Sequence, residues 1–295
     1  MVYLDLIVNL SLLIALTIVS GFIDNRWPRH ANLGVLFQGV LFGGAAIVGM
    51  LRPLDLGQGL IFDGRSIMIS LCALYFGPLA VAVSGIMTVA CRIYLGGVGM
   101  MTGSLVILSS AGIGLIARSR LKPETDPPSY QQLYFFGLLV HLTMLGLMFT
   151  LPGDAGLMVL RQVGLPVVLL YPLATILAGK ILSDQLEGKQ VLEALRESEK
   201  RYIEAQRIAQ LGDFTWDVET GKVTWSDALF DLLHYEKSEA VDYDKVDTEI
   251  HHPEDVERVR KWLNDCVSSG KPNLVPNEYR LIRKDGKVLS VRTVG

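Results

Sequence analysis

Charge is scarce in the first 180 residues of this 295-residue chain, which hold ten Lys/Arg and seven Asp/Glu; the remainder holds seventeen and twenty-three. A stretch that poor in charge cannot clothe a water-facing surface, so its apolar excess excludes an ordinary soluble domain. Cysteine is nearly absent too. Cys72, Cys91 and Cys266 have no metal-like spacing and form no obvious pair, so they read as packing residues in a reducing setting. No basic patch is present to hold nucleic acid, and the second part is mildly acidic. No nucleophile–base pair, phosphate loop, kinase motif or cyclase motif appears, so no catalytic residue and no enzymatic activity is assigned to these 295 residues. The amino terminus lacks the basic region and small-residue cleavage site of a signal peptide.

What is there is a series of long apolar runs. Residues 3–23 suffice to cross about 30 Å of hydrocarbon. Further runs cover 33–51, about 58–76, 78–95, 100–117, 132–151 and 157–179, with polar breaks at Arg52–Asp55, Arg118–Pro128 and Pro152-Gly153-Asp154. Three charges interrupt this pattern inside one apolar stretch: Asp63, Arg65 and Arg92. A charge at the bilayer centre costs about 2.5–3.5 kcal/mol on insertion scales, and such charges are usually paired, cavity-facing and functional.

Between the two arginines lies Phe76-Gly77-Pro78, where proline drives the preceding residue out of the helical region. One unbroken helix over 62–95 would place Arg65 and Arg92 roughly 40 Å apart. A tight turn at Gly77 would instead bring them to one level, turning two isolated charges into one anion site, and this hairpin is the expected arrangement. It gives seven membrane segments, and the continuous helix gives six. With the charged tail inside, seven segments place Arg26, Arg29, Arg118, Arg120, Lys122 and Lys180 inside, whereas six put Arg26 and Arg29 outside. The arginine pair then faces the outer half of the membrane.

Arg92 is followed by Leu95-Gly96-Gly97-Val98-Gly99, a flexible backbone of the kind tolerated at membrane depth where it lines a cavity. Its amides, with Thr102 and Ser104, are expected to donate hydrogen bonds to an anion. The candidate ligand residues are therefore Asp63, Arg65, Arg92, Gly96, Gly97, Gly99, Thr102 and Ser104. The competing reading has Asp63 and Arg65 neutralise each other, or Arg65 pair with other acids of the protein. Two arginines beside one acid still leave a positive charge. His141 reads as a packing residue or interhelical donor, and no metal site is expected.

These stretches carry a resemblance. Asn32–Met50, Ile61–Ser66 (IFDGRS), Phe76-Gly77-Pro78 and Arg92–Gly103 resemble the LytS/YhcK-type transmembrane sensors, known as five-transmembrane receptors, over roughly residues 20–180. The turn with a small-residue helix behind it also looks like the substrate-binding subunits of energy-coupling vitamin transporters, at the level of fold. The first resemblance implies a sensory input domain placed before a histidine kinase, diguanylate cyclase or related output domain. It carries over to Asp63, Arg65, Arg92 and the Gly96–Gly99 turn. A guanidinium pair in low dielectric favours a carboxylate or phosphate, and the confined setting favours a small organic acid.

Residues 181–210 are charged, proline-free and rich in helix formers, with Leu195, Tyr202 and Ala209 at seven-residue intervals and Leu192 and Ile208 beside that line. A linker helix that pairs in a homodimer is expected, although Gly188 and Glu199 break a strict heptad. Beyond it, Leu211–Asp217, Val223–Ser226, His252-Pro253-Glu254-Asp255 and Glu278-Tyr279-Arg280 with Arg283–Gly286 resemble a PAS domain. Alternation and turn chemistry agree: FTWDV and KVTWS read as strands joined at Gly221, and NEYRLIRKDG as a strand and hairpin turn into VLSVRTVG. His251–Asp255 reads as the turn opening a helix rather than a metal cluster. No cysteine or histidine is placed to hold flavin or haem, so no cofactor is expected. The resemblance implies a further central strand, so the tail is expected to be truncated, with an exposed sheet edge.

The expected architecture is a mainly α membrane bundle of six to seven segments over 1–180, a helical linker over 181–210, and an incomplete α+β PAS-like domain over 211–295. The partners expected are a small anion, membrane lipid and a second copy, and the setting is the cell's inner membrane with the tail cytoplasmic. Two rival readings are a transporter-like receptor, suggested by glycine-broken helices, and a sensor of membrane state without a soluble ligand.

Overall fold

An apolar run in lipid has no water to satisfy its backbone, so each must close its own hydrogen bonds as a helix. The computed structural model describes residues 2–27, 31–51, 54–55, 61–238, 242, 245–269 and 276–294. Helices α1 (Val2–Arg26), α2 (Asn32–Leu51), α3 (Arg65–Leu95), α4 (Met100–Leu121), α5 (Tyr130–Leu147) and α6 (Ala155–Ile208) build the first compact unit, Met1–Val191, into which all but the end of α6 falls. Among the described residues, five helices are long and apolar enough to cross a membrane: Asn32–Leu51, Arg65–Leu95, Met100–Leu121, Tyr130–Thr150 and Ala155–Ile208. The expected count of six to seven segments is not obtained. Arg29 and the Arg52-Pro53 break lie outside the described residues.

Two expected segments are not among the five as separate spans: the 3–23 run, which falls in α1, and one of the hairpin arms, because both arms form the single helix α3. That helix is bent back on itself at Gly77, whose φ of 79° and ψ of −166° belong to a region open essentially to glycine. Ser84 Oγ on the second arm reaches Cys72 Sγ on the first at 3.6 Å, whereas twelve residues along a straight helix would separate them by about 18 Å. The hairpin is therefore the arrangement found. Its first arm begins only at Arg65, however, and not near residue 58. Before it, β1 (Leu54–Asp55) and β2 (Ile61–Phe62) pair antiparallel instead. Twelve residues make about 18 Å of helix, too short for the hydrocarbon core. That arm is a central strut, and every residue from Asp63 to Gly77 is buried. A helix apolar and buried all round lies inside a bundle rather than on its face.

Polar bonds fasten the helices where apolar contact alone gives little specificity in lipid. Gln38 Nε2 on α2 donates to Asp24 Oδ1 at 2.8 Å and to the Ser20 carbonyl at 3.0 Å on α1. His141 on α5 holds the Gly137 carbonyl at 2.5 Å through Nδ1 and meets Ser66 Oγ at 3.3 Å through Nε2, bridging α5 to the strut. Tyr75 donates its hydroxyl to the Gly179 carbonyl of α6 at 2.8 Å. Arg118 on α4 donates to the Leu74 carbonyl at 2.9 Å and pairs with Glu124, whose own carbonyl accepts from Gln190 of α6. The strut's open carboxyl end is thus closed by a guanidinium, as the unpaired carbonyls of a helix terminus require. The start of α5 is fixed by a capping box: Ser129 Oγ accepts from the Gln132 amide and Gln132 Oε1 accepts from the Ser129 amide.

The second compact unit, Leu192–Gly295, holds β3 (Phe214–Trp216), β4 (Val223–Trp225), α7 (Asp227–Leu233), a π-helical turn (Val246–Ile250), α8 (Val256–Ser269), β5 (Asn277–Ile282) and β6 (Val288–Thr293). β3 pairs with β4 and β5 with β6, both antiparallel, through turns in which Gly221 and Gly286 take positive φ. Its core gathers Trp225, Leu229, Leu233, Ile250, Tyr279 and Leu281. Asp255 stands ahead of α8 and accepts from the Arg280 backbone N–H at 3.0 Å and from its Nε at 2.9 Å, which ties the helix start to β5.

Candidate functional site

Fold-back at Gly77 carries the beginning of the strut and the end of the second arm to one place. A methyl group added at Gly103 would lie 2.6 Å from Arg92 Nε and 3.4 Å from Arg65 Nη1, so both guanidinium groups press against the same spot on α4. They border a cavity of about 40 Å³ lined by Asp63, Arg65 and Arg92, by Gly99, Thr102, Gly103 and Val106 of α4, and by Met144, Met148 and Leu151 around the end of α5. One wall is charged and polar, the other apolar.

The charges are deeply buried, with Arg65 at 5% and Arg92 at 2% exposure. Asp63 accepts from Arg65 twice through the single oxygen Oδ1, from the backbone N–H and from Nε, both at 2.9 Å. The aspartate thereby caps the amino terminus of the strut while fixing the arginine that follows it. Arg65 Nη1 also touches Met50 Sδ of α2 at 3.3 Å. Arg92 bends toward its own helix end and donates from Nη1 to the Gly96 carbonyl at 2.9 Å. Two polar atoms at the site stay without a hydrogen-bond partner among the described residues: Arg92 Nε and Asp63 Oδ2. Buried polar atoms are satisfied in the great majority of cases, and each exception calls for a reason. Counting the lining residues, the site carries two positive charges and one negative.

Five of the eight residues expected from the sequence line the cavity: Asp63, Arg65, Arg92, Gly99 and Thr102. Gly96 and Gly97 do not. They form the turn that ends the second arm, both at positive φ, and Gly96 serves as an acceptor for Arg92 rather than as an amide donor to an anion. Ser104 is turned away and bonds the Met100 carbonyl of its own helix at 2.9 Å. The residues not expected are Gly103, Val106, Met144, Met148 and Leu151, together with Thr150, whose hydroxyl holds that of Thr102 at 2.7 Å. A signal for the α4 set was present. Residues 99, 102, 103 and 106 follow the i, i+3, i+4, i+7 spacing of one helix face, and 144, 148 and 151 repeat it.

Among the described residues, no group of three or more His, Cys, Asp or Glu stands close enough to hold a metal ion. Residues 22–185 match the protein family described as the 5TMR of 5TMR-LYT, and residues 222–295 match the PAS fold. No curated protein and no solved structure matches the chain.

Proposed function

The chain belongs to the 5TMR-LYT family, whose match spans more than half of it, and from that premise we propose that its bundle is a receptor for a small anion, most simply a carboxylate. The chain is a multi-pass membrane protein and a signal-transduction input module. The observation that supports the ligand reading is the buried pair Arg65 and Arg92 at one cavity whose described lining residues include a single carboxylate, Asp63. Two buried guanidinium groups beside one carboxylate are costly in a low dielectric, and an entering anion that accepts from the Arg92 guanidinium offsets that cost.

Signal transfer follows from the strut. Asp63 and Arg65 stand at its site end, and ten residues on, about 15 Å away along the axis, Tyr75 is bonded to α6. An anion that draws the two guanidinium groups together pulls on one end of a rigid rod whose other end grips α6. α6 itself continues to residue 208 as one helix. Leu195 and Tyr202 along it are each 63% exposed, which supports pairing with a second copy. In this reading the PAS fold relays the change to an output domain, a histidine kinase being the leading choice, on the cytoplasmic side of a bacterial inner membrane.

The test is a thermal-shift screen of the purified chain in detergent against small carboxylates, inorganic phosphate and neutral metabolites. A ligand at a hundred times its dissociation constant adds about 2.7 kcal/mol of stability. A shift produced by an anion and lost in both Arg65→Ala and Arg92→Ala supports the reading; stabilisation by neutral compounds alone overturns it.

A further inference from the structure

Between α4 and α5 runs a second and larger cavity, a groove of about 570 Å³ that shares no lining residue with the arginine cavity. Its walls are apolar, built from Ile113, Ile116, Phe135 and Leu139. Its mouth, where α4 ends and α5 begins, carries Arg120 and Gln131. Among the described lining residues Arg120 is the one charge, and there is no acid. We propose that this groove holds one anionic phospholipid, its phosphate paired with Arg120 and one acyl chain laid between the two helices.

Depth and charge both select that occupant. From Arg120 to Ile113 the groove descends seven residues of α4, about 10 Å, and from Ser129 to Leu139 ten residues of α5, about 15 Å. Half of a hydrocarbon core of about 30 Å is the same length, so the groove spans one leaflet with its polar mouth at the surface. Ile116, Phe135 and Leu139 are each more than half exposed, a surface suited to hydrocarbon and not to water. Neighbouring basic residues at this end are already committed: Arg118 to the Leu74 carbonyl and Glu124, Lys180 to Asp184, and Lys189 to the Asp24 carbonyl. Arg120 has no hydrogen bond or ion pair among the described residues. A guanidinium over an apolar slot is complementary to a phosphate carried on hydrocarbon, and its fork takes phosphate oxygens bidentately. Basic residues at the ends of membrane helices mark the cytoplasmic face, whose leaflet is the anionic one. The same α4–α5 junction carries the Arg118 cap of the strut and the Glu124 bond to Gln190 of α6, so a lipid seated here braces both.

Native mass spectrometry of the full chain in detergent, titrated with phosphatidylglycerol and with phosphatidylcholine of the same acyl chains, provides the test. One phosphatidylglycerol is expected to be retained at least about fivefold more tightly than phosphatidylcholine, the scale of one basic residue facing an anionic headgroup. Arg120→Gln is expected to bring that ratio below about twofold. Lys122→Gln removes a charge two residues further on, outside the groove lining, and is expected to keep the ratio. Equal retention of the two lipids by the unsubstituted chain overturns the proposal. So does a ratio that both substitutions lower alike, which would mean diffuse surface charge. A dimer trapped by a disulfide that depends on Leu139→Cys, with neither lipid retained, assigns the groove to a second copy and overturns it too. The lipid comparison needs only the unsubstituted chain and makes no use of the arginine cavity, so it stands whatever that cavity binds.

Discussion

Tyr75 and Ser183, separated by 108 positions in the chain, hold their hydroxyl oxygens 2.7 Å apart, and the same Tyr75 hydroxyl donates to the Gly179 carbonyl. The bond joins the far end of the buried strut to α6. Tyr75→Phe keeps the ring and deletes only this link. It is expected to cost about 1–3 kcal/mol of stability by stranding buried partners, while leaving anion affinity within about threefold because the site lies at the other end of the strut. The ligand-induced change in α6, read by spin labels placed beyond residue 185, is expected to be lost. A full response in Tyr75→Phe would mean the signal travels by another path.

Gly103 lets two arginines lie against α4. Its replacement by alanine would put a methyl group 2.6 Å from Arg92 Nε, and the guanidinium must move to admit it. Gly103→Ala is expected to weaken anion binding at least about tenfold, the scale of one lost charge-assisted hydrogen bond. Gly112 on the same helix has nothing within 4 Å of such a methyl, so Gly112→Ala is the matched control and is expected to bind normally. Calorimetric titration of the pair checks this.

Gly77→Ala places a side chain in a backbone region that L-residues rarely enter, with Arg118 Nε 3.1 Å from the new methyl. A cost of about 1–3 kcal/mol is expected, together with loosening of the Arg118 cap on the Leu74 carbonyl. Thermal unfolding in detergent measures it. A variant as stable as the parent would show that the bend is not held by Gly77.

The PAS unit carries its own acid sensitivity. His251 is 5% exposed, with Asp247 Oδ1 at 3.5 Å and the Tyr279 ring edge-on, and burial holds its imidazole below the ordinary histidine range. Its folded state therefore favours the neutral ring. The stability this gives is fully present above about pH 6.5, the unfolded value, and is lost as pH falls toward the lower folded value. Asp255 behaves alike at lower pH, because its bonds to Arg280 hold the carboxyl well below the usual carboxylate range, so that contribution fades only below about pH 4. Unfolding followed by tryptophan fluorescence is expected to show a decline from pH 7 to 5.5, and His251→Gln to flatten it.

Much of this was legible in the residues themselves. Phe76-Gly77-Pro78 announced the fold-back because proline chemistry is local, and Asp63, Arg65 and Arg92 announced a site because charge in an apolar run has few other uses. The PAS strands followed from alternation and two glycine turns. What stayed hidden was set by tertiary partners. Apolar residues 60–62 lead into the hydrophobic run, yet Ile61 and Phe62 pair as a strand, which shortens the strut and removes a membrane segment from the count. Ser104 was chosen for its hydroxyl, but two residues from Thr102 on a helix is a turn of about 200°, onto the opposite side. Met144 and Met148 carry no chemical mark that separates a cavity wall from any other core.

The strut also dictates how this protein must enter its membrane. Twelve residues beginning with an arginine and an aspartate-held cap are too short to be recognised as an independent span and too costly to wait in lipid unescorted. It has to be inserted together with the second arm as a single 31-residue unit, and to find α4, α5 and α6 before its charges are exposed to hydrocarbon. The cavity is thus complete only once the end of α5 is in place, and a chain arrested before α5 is made would have the arginines but not the wall of Met144, Met148 and Leu151 beside them.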